Sequence, residues 1–229
     1  MADRRGGAAG RRTYDEIRLL AAETAAARSA EEILRAYEAT LDGWIRALDL
    51  RDGETEGHSR RVVGLTVALA TELGVCGDRL VHIRRGALLH DVGKMALPDS
   101  ILRKPGELDE AEQALMRRHP EHAWEMLGGV DFLRPALDIP YAHHERWDGT
   151  GYPRGLRREE IPLAARLFSV VDVWDALRYD RAYRAGWPAE KVRKYLREGA
   201  GTQFDPAVVP VFLRVLERDG EPELSAPRR

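Results

Sequence analysis

The chain has 229 residues, 44% of them hydrophobic and 32% charged, and a net charge of −2. This is the composition of a soluble globular protein, sized for one large domain or one domain with an extension. The near-neutral balance gives no electrostatic ground for binding a nucleic-acid polymer. The single cysteine, Cys76, excludes an intramolecular disulfide framework and a multi-cysteine zinc site. No apolar run approaches the roughly 18 residues that a membrane helix needs. Met1 to Arg12 carries four arginines and no apolar stretch, so it does not read as a secretory leader. The cytoplasm is the expected compartment.

Residues 1–12 read as a disordered tail. From Tyr14 to about Leu50 the chain is rich in Ala, Glu, Leu and Arg, has no proline, and is expected to be helical. Leu34, Tyr37, Leu41, Trp44 and Leu48 alternate spacings of three and four. That seam suits either packing on the domain that follows or a homodimer through the N-terminal helix. After a polar break at Arg51 to Gly57, helices are expected over 59–73, 79–89, 108–116, 120–127, 162–177, 189–198 and 206–219. Gly93, Pro98 and Pro105-Gly106 mark an irregular connection, and Pro135 and Pro140 break up 133–144. No stretch alternates long enough to make a strand, so the fold class is all-α. The expected division is a tail (1–12), a helical extension or linker (13–50), a domain over 51–218 and a second tail (219–229).

The chemistry concentrates in His143-His144-Glu145-Arg146-Trp147-Asp148-Gly149-Thr150-Gly151-Tyr152-Pro153. Neighbouring residues on a helix point about 100° apart, so the two imidazoles can serve two ions, or one ion and one phosphate. The glycines and the proline end the helix and let backbone approach a ligand. Gly149-Thr150-Gly151 lacks the strand and helix that a dinucleotide fingerprint requires.

The chain has seven histidines, and five of them fall among candidate metal ligands that include no thiolate. Glu54 and His58 are spaced i, i+4 and share a face if helical. His90-Asp91 is an adjacent pair at a helix end, where Asp91 can bridge two ions, and Lys94 follows on the same side. His119 precedes Pro120 at a helix start. Asp172 is a carboxylate within the apolar run Val170-Val171-Asp172-Val173-Trp174-Asp175 and needs a partner if buried. His82 and His122 read as ordinary packed or solvated residues. Arg157-Arg158 and Glu159-Glu160 read as a solvated loop, and Trp147, Trp174 and Trp187 as packing or pocket-wall residues.

His90-Asp91-x-Gly-Lys94, then His119, then His143-His144-Glu-x-x-Asp148-Gly-x-Gly151-Tyr152-Pro153 closely resembles the HD-GYP family, a branch of the HD-domain metal-dependent phosphohydrolases. Outward matches are Glu54-Thr-x-x-His58-Ser-x-Arg, Ile161-Pro162-Leu163, Ala165-Arg166, Asp172-Val-Trp-Asp175-Ala-Leu, Asp180-Arg181-x-Tyr-Arg184 and Gly201-Thr-Gln-Phe-Asp205-Pro. The resemblance covers about residues 40–218. Ala123 stands where members usually have Gly, and Ala182 where they usually have Pro; neither is a ligand position.

The resemblance implies a five-helix HD core with extra helices, and phosphodiesterase activity on cyclic di-GMP yielding pGpG, GMP or both. It implies Glu54, His58, His90, Asp91, His119, His143, His144 and Asp172 as ligands of two or three divalent ions, commonly iron or manganese. Glu54 favours three. Asp91 and Lys94 take catalytic parts. The chain is expected to be either a stand-alone enzyme or the output part of something larger, the candidate partners being an upstream regulatory module or a GGDEF protein. Phosphodiester hydrolysis needs a hydroxide, a Lewis acid on the phosphoryl oxygens and stabilisation of the leaving alkoxide, which two metals about 3.5–4 Å apart supply together. Lys94 would place a positive charge on a non-bridging oxygen. Arg181 and Arg184 would grip the same phosphate with forked donors, and Tyr152 would cover the guanine or pack the motif loop. The competing readings are an HD hydrolase of another nucleotide and a silent cyclic di-GMP receptor.

Overall fold

The structure, a computed structural model, describes residues 6–52, 57–180 and 184–221, with side chains described from residue 19 onward apart from residue 21. Among the described residues it is helical without a strand, as the absence of alternating patterns predicts. The chain divides into two compact units, Met1–Trp44 and Ile45–Arg229. Helix α1 (Gly6–Asp52) runs through the boundary. It starts inside the stretch expected as a tail: extending a helix costs far less than nucleating one, so the Ala/Glu/Arg-rich segment carries helix back across Gly6 to Arg12. In the first unit, Leu34, Tyr37 and Trp44 of the three-four seam are exposed.

The second unit contains α2 (His58–Glu72), α3 (Gly77–Leu88), α4 (Asp99–Leu102), α5 (Glu110–Met116), α6 (His119–Leu127), α7 (Asp138–Ala142), α8 (Leu163–Arg178), α9 (Ala189–Gly199) and α10 (Val208–Asp219). Its organising element is α8, packed on α2, α7, α9 and α10. Leu167, Phe168, Val170, Val171 and Trp174 are fully buried, on more than one side of the helix; a helix apolar nearly all round belongs in the core. Helices α2 and α10 instead present one stripe each, Val62, Leu65 and Leu69 in the first and Val208, Val211, Phe212 and Val215 in the second. Asp172 interrupts α8 on its half-buried side, and that interruption positions the site.

The connection expected to be irregular over 93–106 contains two pieces of order, a 3-10 turn over Val92–Ala96 and the one-turn helix α4. The end of α1 fastens them. Arg51 donates from Nε to Asp99 Oδ1 (2.9 Å) and from its terminal nitrogens to the carbonyls of Met95 (2.9 Å) and Leu97 (2.6 Å). Gly93 has no alternative: a Cβ there would run into the His119 carbonyl of α6. Residues 133–144 break at the prolines as expected, into a 3-10 turn over Arg134–Ala136 and α7, whose Pro140 lies in the first turn where no amide is needed. A capping box between Asp109 and Glu112 starts α5.

Candidate metal centre and adjoining pocket

Helix ends deliver most of the polar side chains to one side of α8. His58 is the first residue of α2, His90 and Asp91 follow α3, His119 opens α6, and His143 caps α7 with His144 next. Their ligand atoms fall into two groups, each within 4.8 Å: Asp91, His119, His143 and His144 in one, His58, His90 and Asp172 in the other. His143 and His144 join the same group, with ring centroids 4.0 Å apart. Helix α7 stops at His143, so the next side chain folds back instead of diverging by a helical step.

Three of these imidazoles are held alike. Nδ1 of His90, His119 and His143 donates to the carbonyls of Ala87 (2.9 Å), Met116 (2.9 Å) and Ile139 (3.0 Å). This turns each Nε2 inward, where the neutral ring presents a lone pair. Nε2 of His119 and Nε2 of His143 then face each other at 3.3 Å, close enough to share a proton or to ligate one ion. Phe168 packs on His90 at 4.8 Å and on His143 at 5.9 Å and keeps the rings from swinging.

Asp91 joins the groups. Its Oδ1 lies 3.3 Å from His119 Nε2 and 3.7 Å from His143 Nε2, while Oδ2 lies 3.1 Å from His90 Nε2. Lys94 Nζ reaches Asp91 Oδ2 at 2.9 Å and Asp52 Oδ2 at 2.6 Å. Burial alone would raise the Asp91 carboxyl, but the charges of Lys94 and His90 and the hydrogen bonds from His143 and His90 hold it well below the usual range. Burial would likewise lower His90, yet Asp91, with Asp172 behind it, raises it to about 9. Burial wins at His119, which falls to about 4, and at His144, which falls well below its usual value with the charges of His143 and His119 adding to the effect. Both are neutral imidazoles, as ligation requires. Nitrogen and carboxylate donors without thiolate, lone pairs facing one another, and a carboxylate shared between two groups fit divalent ions of the hard or borderline kind.

An open pocket of about 300 Å³ adjoins the centre, lined among others by His143, His144, Asp172, Arg117, Arg146 and Tyr152. The loop after His144 makes one wall. Buried Glu145 accepts from the amides of Arg154 (2.8 Å) and Leu156 (3.0 Å), and Asp148 Oδ1 from the amide of Thr150 (3.0 Å). Neither carboxylate joins a ligand group. Gly151 lies so close to the backbone of His144 to Arg146 that a Cβ would not fit. The Tyr152 ring lines the pocket and stacks on His144 at 4.7 Å and 20°, with the Arg117 guanidinium 5.6 Å from its centroid. Arg157, read as part of a solvated loop, donates to the Asp148 carbonyl (3.1 Å) and helps to hold that wall.

Two predicted residues, Glu54 and Arg181, lie outside the described residues. Arg184 donates to the Ala176 carbonyl of α8, one turn beyond Asp172. His122 meets Glu125 on the surface (3.3 Å), and Trp174 is core, edge-on to Phe212. The sequence reading assigned no role to Asp175, Arg61, Asp52, Arg117 or Arg146. Asp175 accepts from His58 Nδ1 at 2.7 Å, and Arg61 Nε donates to its other oxygen at 2.6 Å. The i, i+3 spacing of Asp172 and Asp175 was the available signal.

The HD domain family model matches residues 44–208. The chain is 40% identical over 199 residues to the cyclic di-GMP phosphodiesterase response regulator RpfG of Xanthomonas campestris pv. campestris, covering 86% of this chain and 53% of that protein. It is 39% identical over 169 residues to the 3′3′-cGAMP-specific phosphodiesterase 2 of Vibrio cholerae, covering 73% and 32%. The chain thus spans between about a third and a half of the length of these relatives. Among solved structures, Bd1817, an HDG"Y"P protein from Bdellovibrio bacteriovorus, matches with a TM-score of 0.57 and 25% identity over 70% of this chain and 51% of that one. That similarity agrees with the HD-GYP resemblance of the motifs. With seven of the predicted ligands gathered in the segment that the family model covers, the chain belongs to the HD-domain family.

Proposed function

We propose that this chain is a metal-dependent phosphodiesterase that hydrolyses cyclic di-GMP to pGpG, GMP or both. The observation that carries the reading is the carboxylate of Asp91, shared between two groups of metal-ligand side chains beside a pocket lined by arginines. His119, His143 and His144 would hold one ion and His58, His90 and Asp172 the other, with Asp91 between them. Glu54 would add a third position. Ions there supply Lewis acidity toward the phosphoryl oxygens and a strong nucleophile at neutral pH; iron and manganese suit the donor set.

The chain's own residues do the rest. Asp52 and Asp91 fix the Lys94 ammonium at the edge of the centre, where it offers a positive charge to a non-bridging phosphoryl oxygen. Arg117 would present forked donors to the phosphates from the pocket wall, and Arg146, held there by Thr150 and Asp148, would add positive charge. Arg184, together with Arg181, would grip the same phosphate. Tyr152 stacks on His144 and lines the pocket, where it would also cover the guanine. Residues 13–50 would connect the catalytic domain (51–218) to an upstream regulatory module or form a homodimer, with a GGDEF protein as the opposing partner and the cytoplasm as the site of action.

One observation favours a second substrate. A relative named for 3′3′-cGAMP is nearly as similar as one named for cyclic di-GMP. Competition between the two dinucleotides, with Mn²⁺ or anaerobic Fe²⁺ and chromatographic separation of products, decides. Cyclic di-GMP is expected to be consumed at the higher kcat/KM. Preference for the hybrid dinucleotide would transfer the assignment to it, and binding of cyclic di-GMP without turnover under either metal would make the chain a receptor.

A further inference from the structure

The five histidines of the centre are not held alike. Those at 90, 119 and 143 each give Nδ1–H to a neutral backbone carbonyl, whereas His58 gives its own to a carboxylate, Asp175 Oδ2, at 2.7 Å. Asp175 is in turn gripped by Arg61, from Nε to Oδ1 (2.6 Å) and from a terminal nitrogen to Oδ2 (2.9 Å). All three residues are buried: 3% of His58, 7% of Arg61 and 2% of Asp175 is exposed. The Arg61 guanidinium also lies over the Tyr179 ring at 4.0 Å. Asp175 sits one turn after Asp172 on α8, and Arg61 one turn after His58 on α2. The relay therefore runs directly behind the His58, His90 and Asp172 group.

A carboxylate behind an imidazole fixes which ring nitrogen carries the proton and makes the other a stronger donor. From this we infer that Asp175, held by Arg61, is a positioning residue that sets the metal affinity of the His58, His90 and Asp172 group and leaves the His119, His143 and His144 group unaffected. The two metal positions are then unequal by construction. The inference rests on the metal-centre reading proposed above. In Asp175→Asn the side chain keeps its size, but its amide can offer N–H to His58 Nδ1. That moves the ring proton to Nε2 and removes the lone pair meant for the ion. In Arg61→Lys a cation still faces Asp175 and the His58 contact survives, so the fold weakens while the affinity stays close to wild type.

Calorimetric titration of the metal-free full chain with Mn²⁺ tests this. Wild type is expected to show separate binding events for the two groups, and Asp175→Asn to retain that of the His119, His143 and His144 group while that of the His58, His90 and Asp172 group weakens about 10–100-fold. Arg61→Lys is expected to keep both while melting at a lower temperature. Equal affinities in Asp175→Asn and wild type, or equal weakening of both events, overturns the inference and leaves the metal centre standing. A wild type that takes up no Mn²⁺ overturns the metal centre itself. Should Asp175→Asn fail to fold, ¹⁵N NMR of the metal-free wild type decides: a proton on His58 Nδ1 supports the relay, and a neutral ring with its proton on Nε2 refutes it.

Discussion

Asp91 and Lys94 show how much one side chain does when its two ends face different partners. Asp91 turns one oxygen to His119 and His143 and the other to His90 and Lys94. Lys94 is shared between Asp91 and Asp52, so its charge is fixed by neighbours and not by a mobile chain. Lys94→Met is therefore expected to lower kcat about 10²–10³-fold, the loss seen when a single preorganised donor is removed from a polar site, with metal content unchanged. Steady-state turnover beside elemental analysis checks this; a variant that loses its metal would instead make Lys94 structural. The pairings of Asp91 with His90 and Lys94 were legible in sequence because those residues lie within one turn of it. Those of Asp175 and Arg61 were not: 114 positions separate them, and nothing local distinguishes Arg61 from a solvated arginine of an amphipathic helix. Arg117 was missed for the same reason.

At the scale of elements, α8 joins the hydrophobic core to the site. Phe168 is fully buried and touches His90 and His143 with the same ring. Phe168→Ala should cost about 3–5 kcal/mol and lower Tm by roughly 10 °C or more in a domain of this size. It should also lower metal affinity, because the two imidazoles gain room to rotate. Thermal melts with and without Mn²⁺ read both effects, and a variant with wild-type metal-induced stabilisation would argue against the packing role. Helix identity was readable throughout, since long proline-free or amphipathic runs have few alternatives. The exceptions are short. The 3-10 turn over Val92–Ala96 forms because Gly93 presses against α6 and Arg51 clamps the following carbonyls, both distant in sequence. The stacking of Tyr152 on His144 depends on the path of the loop between them, which spacing does not specify.

For the whole molecule, the ligands come from α2, α6, α8 and the segments after α3 and α7, so the centre gathers most of the second unit around one point. Bound ions should then stabilise the native state through ligands absent from the unfolded chain. Removing them with a chelator is expected to lower Tm by several degrees, and adding Mn²⁺ to restore it; a melting curve indifferent to chelation would mean that the cluster holds no ion.

On the proposed function, this centre cleaves a cyclic dinucleotide with divalent ions that Asp91 would help to hold. The most direct test is hydrolysis of cyclic di-GMP by three samples: protein stripped of metal, the same protein reloaded with Mn²⁺ or Fe²⁺, and Asp91→Ala treated identically. Formation of pGpG or GMP is expected from the reloaded wild type alone. Equal product from Asp91→Ala, or from the stripped protein, would contradict it.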